Sequence, residues 1–86
     1  MTRSVTIAAA QMGPVTRSES RNAVVRRLIE MMRQAAAMGA QVVAFPEAAL
    51  TAFFPHWWSD DEDEIDSWFE REMPGLATLP LFAEAR

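Results

Sequence analysis

The 86-residue chain has no cysteine and no lysine, a single histidine, three glycines, and no hydrophobic run near the length of a membrane span. Each absence excludes something. Without cysteine there is neither a disulfide framework nor a thiolate metal site. One histidine, His56, cannot build a histidine cluster. A helix crossing a bilayer needs about 20 apolar residues in succession, and no stretch supplies them. The first residues, MTRSVTIAAAQMGP, have one arginine and a short apolar run but no hydrophobic segment of the signal-peptide kind. A cytoplasmic location follows as the default expectation. All eight basic residues are arginines, set against 12 acidic ones, for a formal net charge of −4. That balance, with no basic cluster interleaved with aromatics, argues against nucleic acid or an anionic membrane as partner.

What the chain does have is apolar content, at half of all residues, which argues for a packed structure rather than a disordered tail. Its length suits one small domain or part of a larger one. The final LPLFAEAR reads as a helix under way, with no glycine, proline stop or polar tail after it. The expectation is that residues 1–86 are the N-terminal part of a longer domain.

Hydrophobic spacing predicts the elements. SVTIAAAQ, residues 4–11, carries β-branched Val5, Thr6 and Ile7 in partial alternation and fits a strand. Gly13 and Pro14 break it. Residues 16–38 place Val24, Val25, Leu28, Ile29, Met31, Met32, Ala35 and Ala36 at helical spacings, with Arg21, Arg26, Glu30, Arg33 and Gln34 mostly on other faces. TRSE at 16–19 fits a capping box, and Ser18 and Ser20 are alternative caps. Gly39 suits a left-handed stop. AQVVAF, residues 40–45, fits a short strand buried on both faces. Strand, helix, strand in this order predicts a right-handed βαβ unit with parallel strands.

Pro46 ends the second strand, and an aromatic loop follows, EAALTAFFPHWW. SDDEDEIDSWFEREM then predicts a helix capped by Ser59 or Asp60, with acidic residues in its first turn and Ile65, Trp68 and Phe69 on its apolar face. Pro74 and Gly75 predict a turn, and LATLPLFAEAR the opening of a third helix with Pro80 near its first turn. Two strands and three helices do not close a sheet, so the isolated chain is expected to be molten or prone to aggregation.

Glu47 is the candidate for chemistry. In open α/β sheets, sites lie beyond the carboxyl ends of the strands, which is where Glu47 falls. Burial among Phe45, Phe53, Phe54 and the pair Trp57 and Trp58 would raise its pKa toward neutrality and suit it to proton transfer. The alternative is a carboxylate that caps a turn or pairs with an arginine. His56 reads either as an acid/base group or as a packed or solvent-facing ring. Phe53, Phe54, Trp57 and Trp58 read as a pocket wall, a subunit contact, or core beneath a loop. DDEDEID lacks the glycine and alternating spacing of a calcium loop and reads as a solvated helix start, so neither a metal nor a cofactor is expected.

VTIAAAQMGP, a long helix, GAQVVAFPEAALT and then FFP together resemble the opening of the nitrilase superfamily of carbon–nitrogen hydrolases. Within it, FPEAALTAFFPHW and FEREMPG are most similar to N-carbamoyl-D-amino-acid amidohydrolases. The resemblance implies an α/β fold. The chain would be the N-terminal β-α-β-α portion of an α-β-β-α sandwich, incomplete here, that pairs sheet to sheet with a second subunit in a homo-oligomer. It also implies a Glu-Lys-Cys site acting on a small carbamoyl or amide substrate, with Glu47 as the general base. Of the three groups only Glu47 is present, because the chain has no Cys and no Lys. A rival reading is a non-catalytic module that binds a partner through its exposed sheet edge and aromatic loop. Within the family, other amidase, ureidopropionase and nitrilase branches are alternatives.

Overall fold

The computed structural model describes residues 2–52 and 60–86. The elements run β1 (Ile7–Ala9), α1 (Arg21–Ala37), β2 (Val42–Ala44), α2 (Glu62–Ser67) and α3 (Leu79–Glu84). The α/β class and the strand–helix–strand order are those the hydrophobic pattern predicts. β1 and β2 pair in parallel, with Ile7 opposite Val42, Ala8 opposite Val43 and Ala9 opposite Ala44. The ladder ends at Ala10 N–H, which donates to the Ala44 carbonyl at 2.8 Å. At its other end Gln41 N–H donates to the Thr6 carbonyl at 2.8 Å, and the Gln41 side-chain Oε1 accepts from Thr6 N–H at 3.2 Å. Both strands are shorter than their apolar runs.

α1 is 17 residues long and starts later than the residue 16 that a capping box sets. Ser20 is the cap: its Oγ accepts from Ala23 N–H at 3.1 Å. The TRSE segment forms a turn of its own instead. Glu19 N–H donates to the Thr16 carbonyl at 3.1 Å, and the Glu19 carboxylate accepts from Thr16 N–H at 3.4 Å. The glutamate half of the capping box therefore forms one turn too early, because Ser20 competes successfully for the helix start.

Gly39 closes α1 as expected, with φ at 87°. Gly39 N–H donates to the Ala36 carbonyl and Ala40 N–H to the Ala35 carbonyl, each at 3.0 Å. This crossed pair is the Schellman motif. A Cβ at Gly39 would meet nothing within 4 Å, so only the backbone conformation demands glycine there. Gly39→Ala is therefore expected to cost about 1–2 kcal/mol from the left-handed φ alone, read as a lower urea midpoint with an unchanged slope.

α1 buries Val24, Val25, Leu28 and Ala35, and Ala52 completes the buried apolar set among the described residues. Thr78 is also buried. Its hydroxyl accepts from Gly75 N–H at 2.8 Å and donates to the Gly75 carbonyl at 3.3 Å, which satisfies both of its roles. α3, with Pro80 in its first turn as predicted, packs on α1. Arg33 joins them through a two-point contact to Glu84, Nε to Oε1 at 2.7 Å and Nη2 to Oε2 at 3.2 Å.

Two expectations need correction. β2 is not buried on both faces: Val42 is 50% exposed, its neighbour Ile7 is 66% exposed, and only Val43 turns to the covered side. Helices α1 and α3 pack together, and no described element lies on the face that carries Val5, Ile7 and Val42. The acidic helix is also shorter than predicted. Asp61 caps it, accepting from Asp63 N–H at 3.0 Å and Glu64 N–H at 3.3 Å; the proposed cap Asp60 precedes it, and Ser59 lies outside the described residues. It ends at Ser67, so Trp68 and Phe69 follow the helix, with Trp68 half-buried and Phe69 exposed.

Candidate active site

Proline decides where β2 stops. Pro46 has no N–H to extend the ladder, and its ring keeps Phe45 extended. Glu47 comes next and opens a turn over residues 47–50. Ala48 sits at φ 54°, in the left-handed region that costs a side chain about 1–2 kcal/mol. Thr51 N–H donates to the Ala48 carbonyl at 3.4 Å, and Ala52 beyond it is buried. The turn is thus anchored by half-buried Phe45 on one side and by Ala52 on the other.

Glu47 itself is exposed, contrary to the expectation that aromatic rings bury it. Phe45 is only half-buried, and Phe53, Phe54, His56, Trp57 and Trp58 lie outside the described residues. Among the described residues Glu47 has no arginine partner, so the ion-pair alternative is not what holds it. The carboxylate stands just beyond the carboxyl end of a parallel strand, exposed, on the turn over residues 47–50.

A cleft of about 290 Å³ adjoins this turn, lined by Leu50 and Thr51, by Glu19, Ser20 and Arg21 at the start of α1, and by Ser67 and Trp68 at the end of α2. Arginine–glutamate pairs hold its walls together. Arg17 pairs with Glu64 and Arg21 with Glu70, and Arg21 Nη2 also donates to the Ser67 carbonyl at 3.1 Å. These arginines were not singled out from the sequence. Their partners lie more than 40 residues away, Glu64 on α2 and Glu70 just after it, so no periodic signal links them.

Two further pairs shift titration. The Arg27 guanidinium, hydrogen-bonded to Glu19, holds the Glu19 carboxyl below its ordinary value against an opposing effect of burial. Arg33 does the same to Glu84. Both carboxylates bind their protons less tightly folded than unfolded. Their contribution is therefore present at neutral pH and is lost as pH falls through and below the ordinary carboxylate range. Expected outcome: the urea midpoint falls on acidification, and the Glu19→Gln, Glu84→Gln double variant shows a shallower acid slope than the parent. Equal slopes would mean that these pairs are not the source.

No group of three His, Cys, Asp or Glu residues that could hold a metal ion occurs among the described residues, nor is any described helix long and apolar enough to cross a membrane. Within the acidic run, Asp61 caps α2 and Glu64 meets Arg17. The family model for carbon–nitrogen hydrolases matches residues 6–86, from the start of β1 through α3, and so covers both strands and the Glu47 turn.

Proposed function

The chain belongs to the carbon–nitrogen hydrolase family, and from that premise we propose that it is the N-terminal part of a hydrolase in which Glu47 is the general base. We assign its substrate class as N-carbamoyl-D-amino acids, split to the D-amino acid, carbon dioxide and ammonia. The observation that carries the reading is the position of Glu47. It is a solvent-open carboxylate just beyond the carboxyl end of a parallel strand, where open α/β sheets assemble their sites. The similarity of FPEAALTAFFPHW and FEREMPG to the carbamoylase branch supports the substrate class.

In this reading Glu47 takes the proton of a cysteine thiol, and the thiolate attacks the carbamoyl carbon. A lysine ammonium stabilises the oxyanion that forms. The proton held by Glu47 passes to the departing nitrogen as the carbon–nitrogen bond breaks; water, deprotonated by the same carboxylate, then attacks the thioester carbon, the carbon–sulfur bond breaks, and the proton returns to the sulfur. The thiol and the ammonium come from polypeptide beyond Arg86. The complete enzyme is a cytoplasmic homo-oligomer that binds neither nucleic acid nor membrane.

A second reading is favoured by one observation, the apolar face of Val5, Ile7 and Val42 left open on the sheet. It makes the chain a non-catalytic module that binds a partner there.

The test is ammonia release. The complete enzyme is expected to release ammonia from N-carbamoyl-D-amino acids faster than from their L-isomers, aliphatic amides or nitriles. The 86-residue chain alone is expected to release none above its Glu47→Gln control. Turnover by the short chain sinks the three-group mechanism. A preference for nitriles or simple amides moves the protein to another branch of the family. A complete polypeptide without turnover favours the binding module.

A further inference from the structure

One side chain holds the loop between β1 and α1. Arg27, half-buried in the second turn of α1, donates from Nη2 to the Gly13 carbonyl at 2.9 Å and from Nη1 to the Pro14 carbonyl at 3.2 Å. The same Nη1 meets both oxygens of Glu19, at 3.0 and 2.9 Å. Glu19 in turn accepts from Thr16 N–H, so the loop is tied to itself and to the helix through a single guanidinium. Arginine suits this task because its planar fork addresses several acceptors at once, which an ammonium cannot match.

The braced segment is also a neighbour of Glu47. β1 and β2 are adjacent and parallel, and their last ladder bond runs from Ala10 to Ala44. Gln11 onward from β1 and Phe45, Pro46 and Glu47 from β2 therefore leave the same end of the sheet side by side. Farther along, Glu19 and Ser20 share the cleft with Leu50 and Thr51, the residues that close the Glu47 turn. The loop thus flanks the turn at both of its ends.

We propose that Arg27, with Glu19, is a positioning pair for catalysis: it fixes the backbone of residues 11–19 as the wall against which the Glu47 turn is set. The inference rests on the reading of Glu47 as general base. Neither Arg27 nor Glu19 touches substrate in this scheme. Their contribution is to keep the carboxylate in reach of the proton it moves, and small misplacements of such groups are costly to rate.

The experiment compares Arg27→Met, Arg27→Lys and Glu19→Gln with Glu47→Gln in the complete enzyme, at a temperature where circular dichroism shows each one folded. Arg27→Met is expected to lower kcat by about 10- to 100-fold with little change in KM, and to speed amide hydrogen exchange at residues 45–51. Arg27→Lys is expected to recover only a small part, because lysine cannot span both carbonyls and the carboxylate. Glu19→Gln keeps the two carbonyl contacts and is expected to fall between. It carries the test if Arg27→Met does not fold. A lower melting midpoint with wild-type kcat in the folded Arg27 and Glu19 variants, beside an inactive Glu47→Gln, overturns the positioning role alone. A Glu47→Gln enzyme as active as wild type overturns the general-base reading and this inference with it.

Discussion

Glu47→Gln in the complete hydrolase is expected to lower kcat/KM by about 100- to 10,000-fold, the range that a positioned general base contributes. Glutamine keeps the length and one carbonyl oxygen of the side chain but cannot take a proton. Stability should move by no more than about 0.5 kcal/mol, because the residue is exposed and has no arginine partner among the described residues. Activity and stability therefore separate at this position. If the variant loses activity together with its melting midpoint, Glu47 is a turn fixture and the capping alternative wins. If it loses neither, the proton acceptor lies elsewhere.

The largest effect on stability is expected at Leu28. It is 1% exposed and is the largest fully buried side chain among the described residues. Truncation to alanine removes the transfer free energy of the lost carbons and leaves a cavity beneath α1, for a cost of about 2–5 kcal/mol. Relaxation should not fill that cavity easily, since its buried neighbours on the same helix, Val24 and Val25, are small and β-branched. Leu76 is the internal control. It is 92% exposed, and Leu76→Ala should change stability by less than about 0.5 kcal/mol. Equal losses at the two positions would show that Leu76 is not exposed in solution.

The contrast between Leu28 and Leu76 marks what could be read from residues alone. α1 was legible because Val24, Leu28 and Ala35 recur at helical spacing and Gly39 supplies a stop whose backbone conformation few other residues adopt. The place of Glu47 was legible for a similar reason, since Pro46 has no N–H and must end the strand. Exposure was not legible. AQVVAF reads as doubly buried because its side chains are apolar, but burial depends on what lies opposite, and the face bearing Ile7 and Val42 has no described partner. Helix starts were legible only to within a few residues. Thr16, Ser18 and Ser20 all carry a suitable hydroxyl, and the choice of Ser20 follows from how Arg27 gathers Gly13, Pro14 and Glu19 into a separate loop. Pairs distant in sequence, such as Arg21 with Glu70, leave no periodic trace at all.

The hydrogen bond from Thr6 N–H to the Gln41 side-chain oxygen has a further consequence. In most sheets a slip of one residue is prevented because it would turn apolar side chains into water. Here that penalty is weak, because Ile7 and Ala8, like Val42 and Val43, put apolar groups on both faces in either register. The alignment of the two strands must be specified at the ends of the ladder. The Gln41 amide, which reaches an N–H that the backbone of β2 leaves unmatched, is one such marker. The backbone bond from Ala10 to Ala44 is the other. A slip would break both and carry Glu47 one residue out of step with β1, so a glutamine at the far end of a strand helps determine where the carboxylate stands.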